Sequence, residues 1–130
     1  MTIAEVSKKY ELSADTLRYY ERIGLIPTVP RSKSGVRDYD EDSCGWIELM
    51  KCMRAAGVQI EALADYVALF QQGDETVDAR RAILVEQRER LVSKMADMQR
   101  SLDRLNEKIE RYDRGLMTGE RRLKRSGEAP

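Results

Sequence analysis

From Thr76 the chain runs without glycine or proline as far as Gly115, and within that run Leu84, Leu91, Met98, Leu105 and Tyr112 recur every seven residues. Met95, Leu102, Ile109 and Leu116 form a second row of the same period, set between the first. Seven residues are close to two turns of α-helix, so both rows fall on one side of a single long helix and form a heptad seam. One helix cannot bury such a stripe, and a second copy of the chain is the simplest partner. At these positions Met95 and Met98 read as dimer core rather than as a soft-ligand pocket. Arg88 interrupts the second row and, unless it snorkels or meets an acid, marks the end of tight pairing.

The remaining N-terminal residues read as a small helical head. Thr2 and Glu5 have the spacing of a capping box, predicting a helix over about 3–9. Ser13 is a second N-cap with Asp15 in the first turn, predicting a helix over about 14–22 that Gly24 closes in a left-handed conformation. Two short helices joined by a tight turn suggest helix-turn-helix. Pro27, Pro30 and the polar run Ser32-Lys33-Ser34-Gly35 between short flanks predict a small β-hairpin, a wing. Asp40-Glu41-Asp42 then opens a third helix carrying Trp46, Ile47, Met50 and Met53 up to Gly57. A fourth, over about 60–72, presents Leu63, Val67 and Phe70.

The expected architecture is therefore mainly α: a winged helix-turn-helix over 1–72, a dimerisation helix over 73–118, and a basic, frayed tail over 119–130. Charged residues make up 35% of the chain and aromatics 6%, which favours solvated helices over a large β core. The net charge of zero conceals an uneven distribution. Residues 1–37 carry seven Lys/Arg against four Asp/Glu, residues 38–79 two against ten, and residues 80–130 fourteen against nine. A basic head on an acidic middle gives one face suited to a polyanion.

The second helix and the wing hold the strongest candidates for that face. Arg18 can donate bidentately to guanine or phosphate, and Tyr19 and Tyr20 can hydrogen-bond a phosphate while packing their rings. Thr16 precedes them, and Arg31, Lys33, Arg37 and Tyr39 add groups suited to the flanking backbone. The plainer alternative makes one of Tyr19 and Tyr20 core and leaves Glu21 and Arg22 as solvated charges. A coiled-coil protein-interaction module is a competing class, but it leaves Arg18, Arg31 and Arg37 without a shared purpose. An enzyme is disfavoured: the chain has no histidine, and the acids at 40–42 are explained by helix capping. No cofactor is expected. The N-terminus lacks a signal peptide's apolar core and no apolar run is long enough to span a bilayer, so a cytoplasmic protein without membrane contact is expected.

Taken together, Ile3-Ala4-Glu5-Val6, the run Thr16-Leu17-Arg18-Tyr19-Tyr20-Glu21-Arg22-Ile23-Gly24-Leu25-Ile26, and Arg37-Asp38-Tyr39 resemble the DNA-binding domain of the MerR family over about residues 1–70. The long helix resembles that family's antiparallel dimer coiled coil. The resemblance implies a homodimer on a near-palindromic operator within promoter DNA, which it distorts so that RNA polymerase can engage, with Arg18, Tyr19, Arg37 and Tyr39 touching DNA.

The inducer is less legible. Metal-sensing members place cysteines around the dimer helix, whereas residues 74–130 here contain neither Cys nor His. Drug-sensing members carry a large C-terminal ligand domain. The stretch Trp46 to Arg54 followed by Gly57 resembles the aldehyde- and thiol-stress branch (AdhR/NmlR type), which implies that Cys52 is the sensing thiol. Lys51 and Arg54 favour its thiolate and Glu48 opposes it; the alternative is a small buried apolar residue. Another inducer, whether metal, oxidant or small ligand, is the competing reading. Cys44, at the helix start, is read as incidental, with a thiol activated by the helix N-terminus as the alternative. Eight residues of helix separate the two cysteines by roughly 12 Å, which excludes a disulfide between them within one chain.

Overall fold

The computed structural model describes residues 1–115, so the expectations for Leu116 and for the tail over 119–130 lie outside the described residues. Five α-helices follow one another: α1 (Ile3–Tyr10), α2 (Ala14–Arg22), α3 (Glu41–Ala55), α4 (Ile60–Gln72) and α5 (Val77–Asp113), with one turn of 3-10 helix at Asp74–Thr76 before α5. The chain forms two compact units, Met1–Leu91 and Val92 onward.

The helix starts are built as their residues require. Thr2 Oγ1 accepts the Glu5 amide at 3.2 Å while Glu5 Oε1 accepts the Thr2 amide at 2.9 Å, a complete capping box. Ser13 Oγ accepts the Thr16 amide at 3.0 Å, and Asp40 Oδ1 accepts the Ser43 amide at 2.8 Å. Each cap satisfies an amide with no partner inside its helix, worth about 1 kcal/mol. Gly24 closes α2 with φ +80°, a conformation that costs a residue with Cβ 1–2 kcal/mol, by order of magnitude. The tight turn between α1 and α2 uses Glu11 in the left-handed region, φ 54°.

The core of the first unit draws on every element of the head. Val6, Leu17, Ile26, Tyr39, Ile47 and Met50 are all essentially sealed from solvent. Leu63 and Val67 of α4 complete it. On the outer side of α3 and α4, Trp46 meets Phe70 edge-on at 5.0 Å between centroids and Tyr66 at 6.2 Å, while the Arg80 guanidinium lies 5.3 Å from the Phe70 ring centre. The first turns of α5 belong to this same unit. Thr76 Oγ1 donates to Leu69 and Gly73 carbonyls and accepts from Arg80, and Gln87, buried in mid-helix, exchanges hydrogen bonds with Gln59 at the start of α4.

The wing departs from the expected hairpin. In place of strands there is a single antiparallel bridge, Arg31 with Arg37, closed by a turn in which the Gly35 amide donates to the Ser32 carbonyl at 2.9 Å. Ser32 donates to Val36 at 2.8 Å and Asp38 to Pro30 at 2.7 Å, and the ladder goes no further. Pro27 and Pro30 have no N–H to donate, so the first arm cannot extend the pairing.

The second unit carries the remainder of α5. From Met95 to Tyr112 its apolar side chains are 48–70% exposed. This run of exposed apolar groups at heptad spacing is the seam the sequence pattern requires, left uncovered by the chain itself. Among the described residues, no helix is long and apolar enough to cross a membrane.

Candidate nucleic-acid interface

The period of α2 divides its side chains. Leu17 and Tyr20 point into the core, while Arg18, Tyr19 and Arg22 face solvent. Arg18 is anchored one turn back, Nη1 to Asp15 Oδ1 at 3.0 Å, and its side chain remains 46% exposed. The Arg22 guanidinium lies 5.3 Å from the Tyr19 ring centre. Thr16 is half-buried, with its hydroxyl 2.8 Å from that of Ser13. In the wing, Lys33 stands exposed in the turn, and Arg31 donates to the Gly35 carbonyl at 2.9 Å.

Two candidate residues are corrected here. Tyr20 is buried, as the plainer reading of the tyrosine pair allowed, and supplies core rather than a phosphate contact. Tyr39 is 1% exposed and its hydroxyl is sealed from solvent without a hydrogen-bond partner, so it cannot reach a duplex outside the head. Its amide donates to the Met1 carbonyl at 2.8 Å, tying the end of the wing back to the start of the chain. Burial pushes the Tyr39 phenol above its ordinary range. Tyrosine suits a phosphate and a core equally, and its direction is set by packing that a motif does not reveal.

Glu21 is the residue the sequence reading missed. It sits in the cationic run of α2, yet its side chain is only 11% exposed. Its Oε2 accepts the Val29 amide at 2.8 Å, and its Oε1 accepts Nε of Arg37 at 2.6 Å. One carboxylate thus fastens both arms of the wing to α2. Burial works against its charge, but the Arg37 hydrogen bond, the Val29 amide and the nearby charges of Arg37 and Arg31 together hold its carboxyl below the ordinary range. A signal was present: an acid among groups meant for phosphate repels the ligand unless a cation neutralises it, and Arg37 is that cation. Arg37 accordingly belongs first to the wing clamp and only then to the outer face.

The two cysteines occupy different surroundings. Cys44 is buried, with Sγ 4.0 Å from Met1 Sδ. Cys52 is exposed near the end of α3. Arg54, named beside it from the sequence, spends Nη1 on the Val58 carbonyl at 2.6 Å, bracing the turn from α3 to α4. Among the described residues, no group of three or more potential ligands could hold a metal ion.

An outward-facing α2 and a clamped cationic wing form a surface for a polyanion, and comparison with known proteins decides its family. Residues 1–69 match the model of the MerR HTH family regulatory proteins, and residues 46–108 match the family model described as MerR, DNA binding. The chain belongs to the MerR family. This MerR-family chain is 59% identical over 92 residues to the HTH-type transcriptional regulator AdhR of Bacillus subtilis (strain 168), a match covering 71% of the chain and 66%, just under two thirds, of that relative. It superposes on a MerR family regulator from Listeria monocytogenes with a TM-score of 0.87 and 46% identity, covering 98% of this chain and 96% of that one. Against HiNmlR, described as a MerR family regulator lacking the sensor domain and solved bound to promoter DNA, the TM-score is 0.79 with 28% identity, covering 91% of this chain and 94% of that one. The chain is a DNA-binding transcriptional regulator of the AdhR/NmlR-like branch.

Proposed function

We propose that this regulator acts in the cytoplasm as a homodimer on a pseudo-palindromic operator, distorting promoter DNA so that RNA polymerase can use it, and that Cys52 is its electrophile sensor. The head over 1–72 reads DNA and the segment over 73–118 pairs the copies. Arg18, Tyr19, Arg31, Lys33 and Arg37, with Thr16 beside them, contact the duplex. The observation that carries the DNA reading is the outward set Arg18, Tyr19 and Arg22 on α2 beside a wing pinned by Glu21. Arg side chains supply base or phosphate contacts, and the wing fixes how the head sits on the backbone. Bending a duplex costs energy that these contacts must offset, which makes promoter shape a natural switch coordinate.

The exposure of Cys52 supports the sensing role, because a small electrophile can reach it and cannot reach a core thiol. With an aldehyde, the sulfur adds to the carbonyl carbon, the carbonyl π pair moves to oxygen, and that oxygen takes the thiol proton. The product is a hemithioacetal, formed without a cofactor. Cys52→Ser is expected to abolish induction of a promoter reporter by a small aldehyde while leaving operator affinity within about twofold, since surface substitutions usually cost under 0.5 kcal/mol. Mass spectrometry should place the adduct on Cys52 in the wild type. Undiminished induction in the variant would remove Cys52 as the sensor.

A further inference from the structure

Asp15 is the acid on the outward face of α2. Positions 15, 18, 19 and 22 follow the spacing i, i+3, i+4 and i+7, so Asp15 shares one stripe with Arg18, Tyr19 and Arg22. Its side chain is 95% exposed, and the start of the helix does not depend on it, because Ser13 supplies the cap by accepting the Thr16 amide. Glu21, the other acid of α2, is turned into the wing clamp and neutralised by Arg37, whereas Asp15 stands in the stripe that meets DNA. A carboxylate placed there repels phosphate. Any benefit it brings has to pass through its partner Arg18, whose Nη1 donates to Asp15 Oδ1 at 3.0 Å.

That bond selects what Arg18 can grip. A guanidinium has five N–H donors in a planar fork. Asp15 takes one of the two on Nη1, which leaves the edge formed by Nε and Nη2 for a ligand. This edge matches the O6 and N7 acceptors of guanine, a neutral target that the Asp15 charge does not repel. A phosphate would meet the same edge as an anion and bring its charge close to the Asp15 carboxylate, where like charges repel. The pair therefore makes the backbone a poorer target for Arg18 than a base.

We propose that Asp15 is a positioning residue for DNA reading: it holds Arg18 toward the base edges and penalises its transfer to phosphate. Asp15 thereby sets sequence discrimination rather than affinity. This rests on the Arg18 contact proposed above.

Anisotropy titrations of the full chain with operator and scrambled duplexes provide the test. Asp15→Asn is expected to tighten binding to the scrambled duplex about three- to fivefold, the most that an exposed pair of this kind supports. Affinity for the operator should stay within about twofold of wild type. On the scrambled duplex the salt dependence should gain about one charge, the mark of Arg18 moving to a phosphate. Asp15→Glu keeps a carboxylate within reach of Arg18 and should retain wild-type discrimination. In an Arg18→Ala background, Asp15→Asn should leave the ratio of the two affinities unchanged, because the residue it acts through is gone. Equal tightening on both duplexes would overturn the proposal, since Asp15 would then be a general repulsive charge. A lower melting temperature with an unmoved ratio, or a shifted ratio that persists without Arg18, would also overturn it. Arg18→Ala without effect on either duplex would instead overturn the Arg18 contact beneath it.

Discussion

Arg18→Ala is expected to weaken operator binding by about 10- to 100-fold at fixed salt, while the melting temperature stays within a degree or two of wild type. The magnitude follows from a bidentate base contact, about 1–3 kcal/mol, at 1.4 kcal/mol per tenfold. Stability is spared because the Arg18 guanidinium is exposed and its partner is the solvent-facing Asp15, a kind of pair worth about 0–1 kcal/mol. Fluorescence anisotropy with operator and scrambled duplexes reads the effect. If Arg18 reads a base edge, discrimination between the two duplexes falls with the affinity. If it grips a phosphate, both affinities fall together and the salt dependence loses about one charge. Unchanged affinity for both duplexes would take Arg18 out of the interface.

The second large effect concerns Glu21 and has a sign that simple charge counting gets wrong. Removing an acid from a DNA-facing helix should, by Coulomb's law alone, tighten binding. Glu21→Ala is instead expected to weaken operator binding about tenfold and to destabilise the head by about 1–3 kcal/mol. The carboxylate is the common acceptor for the Val29 amide and for Arg37, and its loss leaves a half-buried guanidinium and an amide without their partner. The wing then loses its fixed position on α2. Tighter binding by the variant would show that the clamp does not position the wing.

The same clamp has a pH dependence whose sign follows from the depressed carboxyl of Glu21. Its contribution to stability is complete above the unfolded value, about 4.3. It is lost as pH falls through the lower folded value, because protonation removes the acceptor that Arg37 and Val29 share. The Val29 amide resonance should therefore hold its position as pH falls to the ordinary carboxylate range and move only below it.

Where local chemistry decides the structure, the sequence was legible to the residue. The caps Thr2, Ser13 and Asp40 and the stop at Gly24 are short-range features; α1 and α3 begin, and α2 begins and ends, where those signals place them. The heptad rows likewise state that one helix has an unburied side, and the structure leaves that side exposed. Legibility fell where the outcome depends on residues far apart in sequence. Tyr39 carries the same hydroxyl whether it meets phosphate or core, and only packing into the core of the head sends it inward. Glu21 acquires its role from Arg37, sixteen residues later. Two prolines limit the hairpin to one bridge, although its turn is where Gly35 puts it.

The junction of head and long helix was hidden for another reason. Leu84 and Leu91 continue the seam so regularly that pattern alone assigns them to the coiled coil, yet they also line an apolar groove of the head. Gln87 between them gives no apolar signal, although it is buried and bonded to Gln59.

In the proposed dimer, two cationic heads joined through their long helices read one promoter duplex together. Native mass spectrometry of the full chain with a fragment of its own promoter tests this most directly, with affinity followed as salt is raised. Two chains per duplex are expected, with an affinity that falls steeply as ionic strength rises. One chain per duplex, or no complex at low salt, would contradict it.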